Sequence, residues 1–260
     1  MTNYLDNLRT YETKLKGYIT EDGMSSVLLH LLETIGTPNQ YVLDIGALSY
    51  AGSNLAPVVD KFGMDFLFID GNAPTTDERL HRHWITTENI ISLLQKHNCA
   101  TSMDCICIDI DNMDYWILKT ILESGYTSNV LVLEFNPIWN NTESVVKPYK
   151  VSAKKKDEDT KKSSNYGASL LAFQSLLVRY GYRLIHITSS KLFNGPCNNA
   201  IFIKNEFDTA DIFLDQKMAI DKVFPTPYIE SYKKNGNLSK FNTSNIDKVK
   251  KELLKKWIVV

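Results

Sequence analysis

The sequence predicts an α/β fold: a Rossmann-like, doubly wound sheet of seven strands, mostly parallel with an antiparallel last strand, and helices on both faces. Three observations carry this. Short continuous apolar runs recur along the chain, among them Val42-Leu43, Phe66-Leu67-Phe68-Ile69 and Val130-Leu131-Val132-Leu133. Between them lie stretches long enough for a helix, the rhythm of a parallel sheet covered on both faces. The last two runs, 182–187 and 200–203, lie close together, which suits an antiparallel final strand.

The bulk properties fit one domain with decorations. A chain of 260 residues can bury a sizeable core. Its net charge of −1 gives no reason to expect nucleic acid or an anionic membrane as partner. The opening Met1-Thr2-Asn3-Tyr4-Leu5-Asp6 lacks the basic start and apolar core of a signal peptide, and no apolar run is long enough for a membrane span. Cys99, Cys105, Cys107 and Cys197 form no CxxC pair. They read as buried thiols of a cytoplasmic protein rather than zinc ligands.

Taken in order, residues 1–40 read as N-terminal helices. One covers 4–16. The other covers 23–35 with Val27, Leu28, Leu31, Leu32 and Ile35 inside, stopped by Gly36 with Pro38 beyond. A core domain follows over 41–205. Its strands are expected at 41–45, 66–69, 83–85, 104–110 and 130–135, and its helices at 53–62, 88–97 and 115–123. A lysine-rich insertion at 141–164, with Lys154-Lys155-Lys156 and Lys161-Lys162 around Asp157-Glu158-Asp159, reads as an exposed loop. A helix over 168–180, stopped by Gly181, leads into the last two strands. Residues 206–260 read as a helical tail broken at Pro225 and Pro227. That tail either caps a site or makes a homodimer, and the sequence leaves both open.

In an open parallel sheet, ligands bind outside the carboxyl ends of the strands. The first such end reads Asp44-Ile45-Gly46-Ala47 and continues through Gly52, Ser53 and Asn54. A glycine there lets a ligand approach the backbone, and the next helix offers free N–H groups. An acid at that point repels a phosphate but holds an ammonium. This favours a zwitterion such as S-adenosylmethionine over a dinucleotide, although any tight βα turn could use the same pair. Asp70, followed by Gly71, closes the second strand, where a carboxylate can accept both hydroxyls of a ribose or simply cap a helix.

The ends of the fourth and fifth strands carry Asp109-Ile110-Asp111 with Asp114, and Glu134-Phe135-Asn136. Side chains two apart on a strand share a face. If the strands stay extended, these ends bring three carboxylates and an amide to one mouth. Such a group needs a cation or protons to offset its repulsion. Oxygen donors suit Mg²⁺ or Mn²⁺, so Asp109, Glu134 and Asn136 are candidate metal ligands. A bound ion would acidify and orient a substrate hydroxyl. The alternative is that these acids cap helices and order turns. His81 and His83 around Arg82, and Trp139 and Tyr149 near the insertion, are weaker candidates for substrate contact.

Several blocks together resemble the FkbM-like branch of class I S-adenosylmethionine-dependent methyltransferases. They are Val42-Leu43-Asp44-Ile45-Gly46-Ala47, Phe68-Ile69-Asp70-Gly71-Asn72, Cys107-Ile108-Asp109-Ile110-Asp111 with Asp114-Tyr115-Trp116, and Glu134-Phe135-Asn136-Pro137. The resemblance runs from about residue 41 to 203. Two departures stand out: Asn112-Met113 where the family usually has glycine, and Leu48-Ser49-Tyr50 within the first loop.

The resemblance implies an O-methyltransferase acting on a hydroxyl of a sugar or sugar-linked glycan precursor, with S-adenosylmethionine as cofactor. Asp44, Gly46, Ala47, Gly52 and Asn54 would then shape its methionine side, and Asp70 with Gly71 its ribose. Glu88 and Asn89 would lie near the adenine, and Asp111 or Asp114 would act as base or substrate anchor. Two other readings stay open. In one, Asp109-Ile110-Asp111 serves as the metal-binding DxD of a glycosyltransferase using a nucleotide sugar. In the other, the fold is kept by a binding protein without catalysis.

Overall fold

A computed structural model describes residues 15, 17–18, 23–110, 112–136, 138–139, 143–150, 167–187, 199–207, 250–252 and 254–260. Most of the expected helix at 4–16 and of the lysine-rich insertion lies outside these residues, as do Asp111, Cys197 and most of the tail.

The chain enters on α1 (Met24–Ile35), whose Val27, Leu28, Leu31 and Leu32 are fully buried. Gly36 stops it with a backbone N–H to the Leu32 carbonyl, as the sequence suggests. The sheet then forms from β1 (Tyr41–Ile45), β2 (Asp65–Asp70), β3 (Leu80–Arg82), β4 (Ser102–Ile108) and β5 (Thr127–Glu134), with β7 (Tyr182–Ile187) and β8 (Asn199–Lys204) later. Helices α2 (Ala56–Phe62), α3 (Ile90–Lys96), α4 (Asp114–Glu123) and α5 (Leu170–Leu177) connect the strands. Pro57 starts α2, and the Ser169 hydroxyl caps α5 by accepting the Ala172 N–H.

The sheet order is β3-β2-β1-β4-β5-β8-β7. The pairs from β3 through β5 are parallel. β8 runs antiparallel to both β5 and β7, so the expected antiparallel last strand is present, inserted between its neighbours rather than at the edge. Alternation along the strands divides the core. Leu43, Ile45, Ile69, Ile106, Ile108 and Leu133 pack with Ile90, Leu118 and Phe173 of α3, α4 and α5. Val42, Phe68, Cys105, Cys107, Val132 and Ile201 face Leu28 of α1 and Val58 of α2. Phe68, completely buried, contributes roughly 1.5–3 kcal/mol through its burial. Cys99, Cys105 and Cys107 are free and buried, as a packing role requires.

Three boundaries depart from the sequence reading. The third strand is not 83–85 but Leu80–Arg82. Asp77 sets it, with a carbonyl that accepts the Leu80 N–H and a carboxylate that accepts the Arg79 N–H. β4 ends at Ile108, so Asp109 lies beyond it, and the two-residue alternation does not place its side chain. The tail is not helical throughout: β9 (Ile258–Val259) pairs antiparallel with β6 (Val145–Val146). Beside this ribbon, Trp139 packs on Trp257 with ring centroids 5.0 Å apart. Among the described residues no helix is long and apolar enough to cross a membrane.

Candidate functional site

The strand order reverses between β1 and β4, which opens a crevice at their carboxyl ends. Gly46 stands there with φ +123°. Its N–H donates to the Ile69 carbonyl, and the Asp109 N–H donates to the Ile45 carbonyl. The turn is therefore stitched to both neighbouring strands.

Behind it, Asp44 is buried and accepts the Ser53 hydroxyl. Burial raises its pKa to about 7 against the Ser53 hydrogen bond, with the Asp70 charge adding to the rise. The Ser53 oxygen also accepts the Leu55 N–H at 3.1 Å, ordering the start of α2. Asn54 Oδ1 is buried with no hydrogen-bond partner among the described residues. Ala47 lies in the core, and Gly52 closes a turn on the Ser49 hydroxyl at 3.0 Å.

At the end of β2, the Asp70 carboxylate accepts the Asn72 N–H at 2.5 Å. A Cβ at Gly71 would come within 2.6 Å of the Trp84 ring, so the indole lies directly against this turn. Asn89 is committed locally: its Oδ1 accepts the Thr86 N–H at 2.8 Å and its Nδ2 donates to the Trp84 carbonyl at 2.7 Å. Glu88 accepts the Tyr149 hydroxyl at 2.5 Å, which lowers the pKa of its carboxyl.

Asp109, Asp114 and Glu134 converge, with one carboxylate oxygen from each within 4.8 Å of the others. Asp114 opens α4, is fully buried and accepts the Ile110 N–H at 2.9 Å. That bond folds the chain back after Asp109 and explains why the cluster forms although Asp109 has left the strand. Asp114, expected as a base, thus sits inside the cluster as a turn-forming carboxylate. Asn136, expected as a ligand, accepts the Ile138 N–H on its amide oxygen at 3.0 Å.

Sequence reasoning missed the strap that follows β6. The Lys147 carbonyl accepts the Trp116 indole N–H at 2.8 Å, and its ammonium donates to Asn112 Oδ1 at 2.7 Å. Two residues on, Tyr149 reaches Glu88 and accepts the Thr87 N–H at 3.3 Å. The strap therefore ties the loop after β4 to the turn before α3. Its only sequence signal is an apolar Val145-Val146 pair beside aromatic and basic residues.

The donor chemistry can be weighed on these observations. Three carboxylates at this spacing suit a hard divalent cation such as Mg²⁺ or Mn²⁺. A glycine turn with no room for a Cβ, a buried amide oxygen without a partner among the described residues and a carboxylate at the next strand end suit an amino-acid nucleoside.

No family model matches the chain, and no curated protein matches it. Among solved structures it is similar to an O-methyltransferase from Bacillus cereus in complex with SAH, at 13% identity and a TM-score of 0.42, covering 77% of this chain and 90% of that one. It is also similar to a candidate O-methyltransferase from Klebsiella pneumoniae, at 11% identity and a TM-score of 0.37, covering 79% of this chain and 91% of that one. Likenesses this distant assign no chemistry to the chain.

Proposed function

We propose that the protein is an S-adenosylmethionine-dependent O-methyltransferase of the FkbM-like kind, acting in the cytoplasm on a hydroxyl of a sugar or sugar-linked glycan precursor. The observation that carries this reading is the joint placement of two features at one sheet edge. The Gly46 turn abuts Asp109, and Asp109 belongs to the carboxylate group with Asp114 and Glu134.

In this reading the turn at Gly46 receives the methionine portion, with Asn54 Oδ1 as an acceptor for its ammonium. Asp44 supports the loop from beneath through Ser53. Asp70 holds the ribose, and Trp84 against Gly71 offers an apolar surface to the adenine. Asp109, Asp114 and Glu134 would hold Mg²⁺ or Mn²⁺, which when bound lowers the pKa of an acceptor hydroxyl. The strap around Lys147 and Tyr149 would fix the acceptor side, because methyl transfer depends on alignment of the attacking oxygen with the methyl carbon.

Calorimetric titration with S-adenosylmethionine and S-adenosylhomocysteine, each with and without Mg²⁺ or Mn²⁺, tests the reading. Micromolar binding of both nucleosides is expected. Absence of binding under every condition would sink it and favour a nucleotide-sugar enzyme or a binding protein.

A further inference from the structure

Three imidazoles meet at the sheet edge, outside the carboxylate group. His81 lies on β3 and His83 just beyond it, two residues apart. His97 caps the carboxyl end of α3. His83 Nε2 and His97 Nε2 are 2.9 Å apart. The His81 and His97 rings lie at a centroid distance of 4.1 Å, and those of His83 and His97 at 5.0 Å. All three are half-buried.

A 2.9 Å contact between two neutral imidazoles is a single N–H···N hydrogen bond. The same spacing also fits an ion. At Zn–N distances of about 2.0–2.1 Å, two nitrogens this far apart subtend roughly 90° at the metal, and a further ~0.4 Å of separation reaches the tetrahedral angle. His81 is stacked on His97 with its nitrogens away from the pair: among the described residues only Asp109, Asp114 and Glu134 bring three donor atoms within 4.8 Å of one another, so a third nitrogen is supplied only by rotation of the His81 ring.

We propose that His83 and His97, with His81 turning in as third donor, form a binding site for a borderline-soft divalent cation, Zn²⁺ foremost. The site clips the edge strand β3 to the end of α3. Its nitrogen donors separate it from Asp109, Asp114 and Glu134, whose oxygens suit harder ions. The clip also borders the β2 end, because the His83 N–H donates to the Asp70 carbonyl at 3.1 Å. It stands whether or not the methyltransferase reading does.

The test is calorimetric titration of the untagged, metal-stripped chain with Zn²⁺ in excess Mg²⁺, beside His83→Gln, His97→Gln and Glu134→Gln. Glu134→Gln should bind Zn²⁺ like the parent, and each histidine variant should bind at least about tenfold more weakly. Carbethoxylation of the parent chain, mapped by mass spectrometry, gives a readout that no variant can confound. Zn²⁺ but not Mg²⁺ should protect His83 and His97, while His30 reacts equally in both. Unchanged zinc affinity in the histidine variants, loss in Glu134→Gln instead, or no protection would overturn the proposal.

Discussion

The carbonyl oxygen of Asp109 occupies the place that a side chain on Gly46 would need, 1.8 Å from where its Cβ would stand. Two sheet loops that carry different halves of the candidate site are thereby in backbone contact. Neither can shift without the other.

Gly46→Ala should therefore be among the most damaging single changes in the chain. It meets an immovable carbonyl and also forces a non-glycine residue to φ +123°. The expected loss is about 3 kcal/mol or more, from backbone strain and overpacking together. Urea unfolding of the variant checks this, and an unchanged midpoint would contradict the stitching of the two loops.

Two buried groups should give the stability opposite slopes with pH. Asp44 has its pKa raised from 3.8 to about 7, so its contribution is complete below about pH 4 and lost as pH rises toward 7. His186, buried with no partner for Nε2 among the described residues, is lowered from 6.5 to about 4. Its contribution is present above pH 6.5 and lost as pH falls toward 4. Between those limits the two offset each other. Asp44→Asn should become more stable as pH rises through this window, by up to about 1.4 kcal/mol per unit, and His186→Gln should become less stable. Urea midpoints across the window that slope the same way in both variants would refute the pairing.

Asp70 and Glu134 should separate cofactor affinity from metal affinity. Removing the Asp70 carboxylate deletes the acceptor proposed for a ribose, so Asp70→Ala should weaken S-adenosylhomocysteine roughly 10- to 100-fold. Mn²⁺ binding, read by paramagnetic resonance, should stay near the parent value. Glu134→Gln should show the reverse. The opposite assignment of effects would move the cofactor away from β2.

The strap should loosen without the fold giving way. Trp116→Phe removes the indole N–H from the Lys147 carbonyl, worth about 1 kcal/mol, or roughly fivefold in local opening. Limited proteolysis should cut within residues 143–150 correspondingly faster, while global melting moves little. Equal loss in both measurements would mean the strap is part of the cooperative core.

What could be read from the sequence was local. The run into Gly46, the Asp70 turn and the Gly36 stop are each written within a few neighbouring residues, and each is found as expected. The third strand was misplaced because His83-Trp84-Ile85 is the more apolar segment, whereas the turn at Asp77 fixes the pairing at Leu80. Asp109 and Glu134 were legible as strand-end acids. That Asp114 joins them depends on a bond to the Ile110 N–H, which spacing does not reveal. His97 was invisible as a partner of His83, because nothing in sequence relates a helix end to an edge strand.

The pairing of Val145 with Val259 also bears on the order in which the protein assembles. It closes a loop of more than a hundred residues through a ribbon only two residues wide on each side. The entropy of closing so long a loop is repaid by little local structure, so this contact should form after the parallel sheet. An early folding species would then hold its strands and their acidic ends before β9 has docked beside the strap. Pulse-labelled hydrogen exchange should find the Val260 N–H, which donates to the Ser144 carbonyl across this ribbon, acquiring protection last, well behind Ile106 and Leu131.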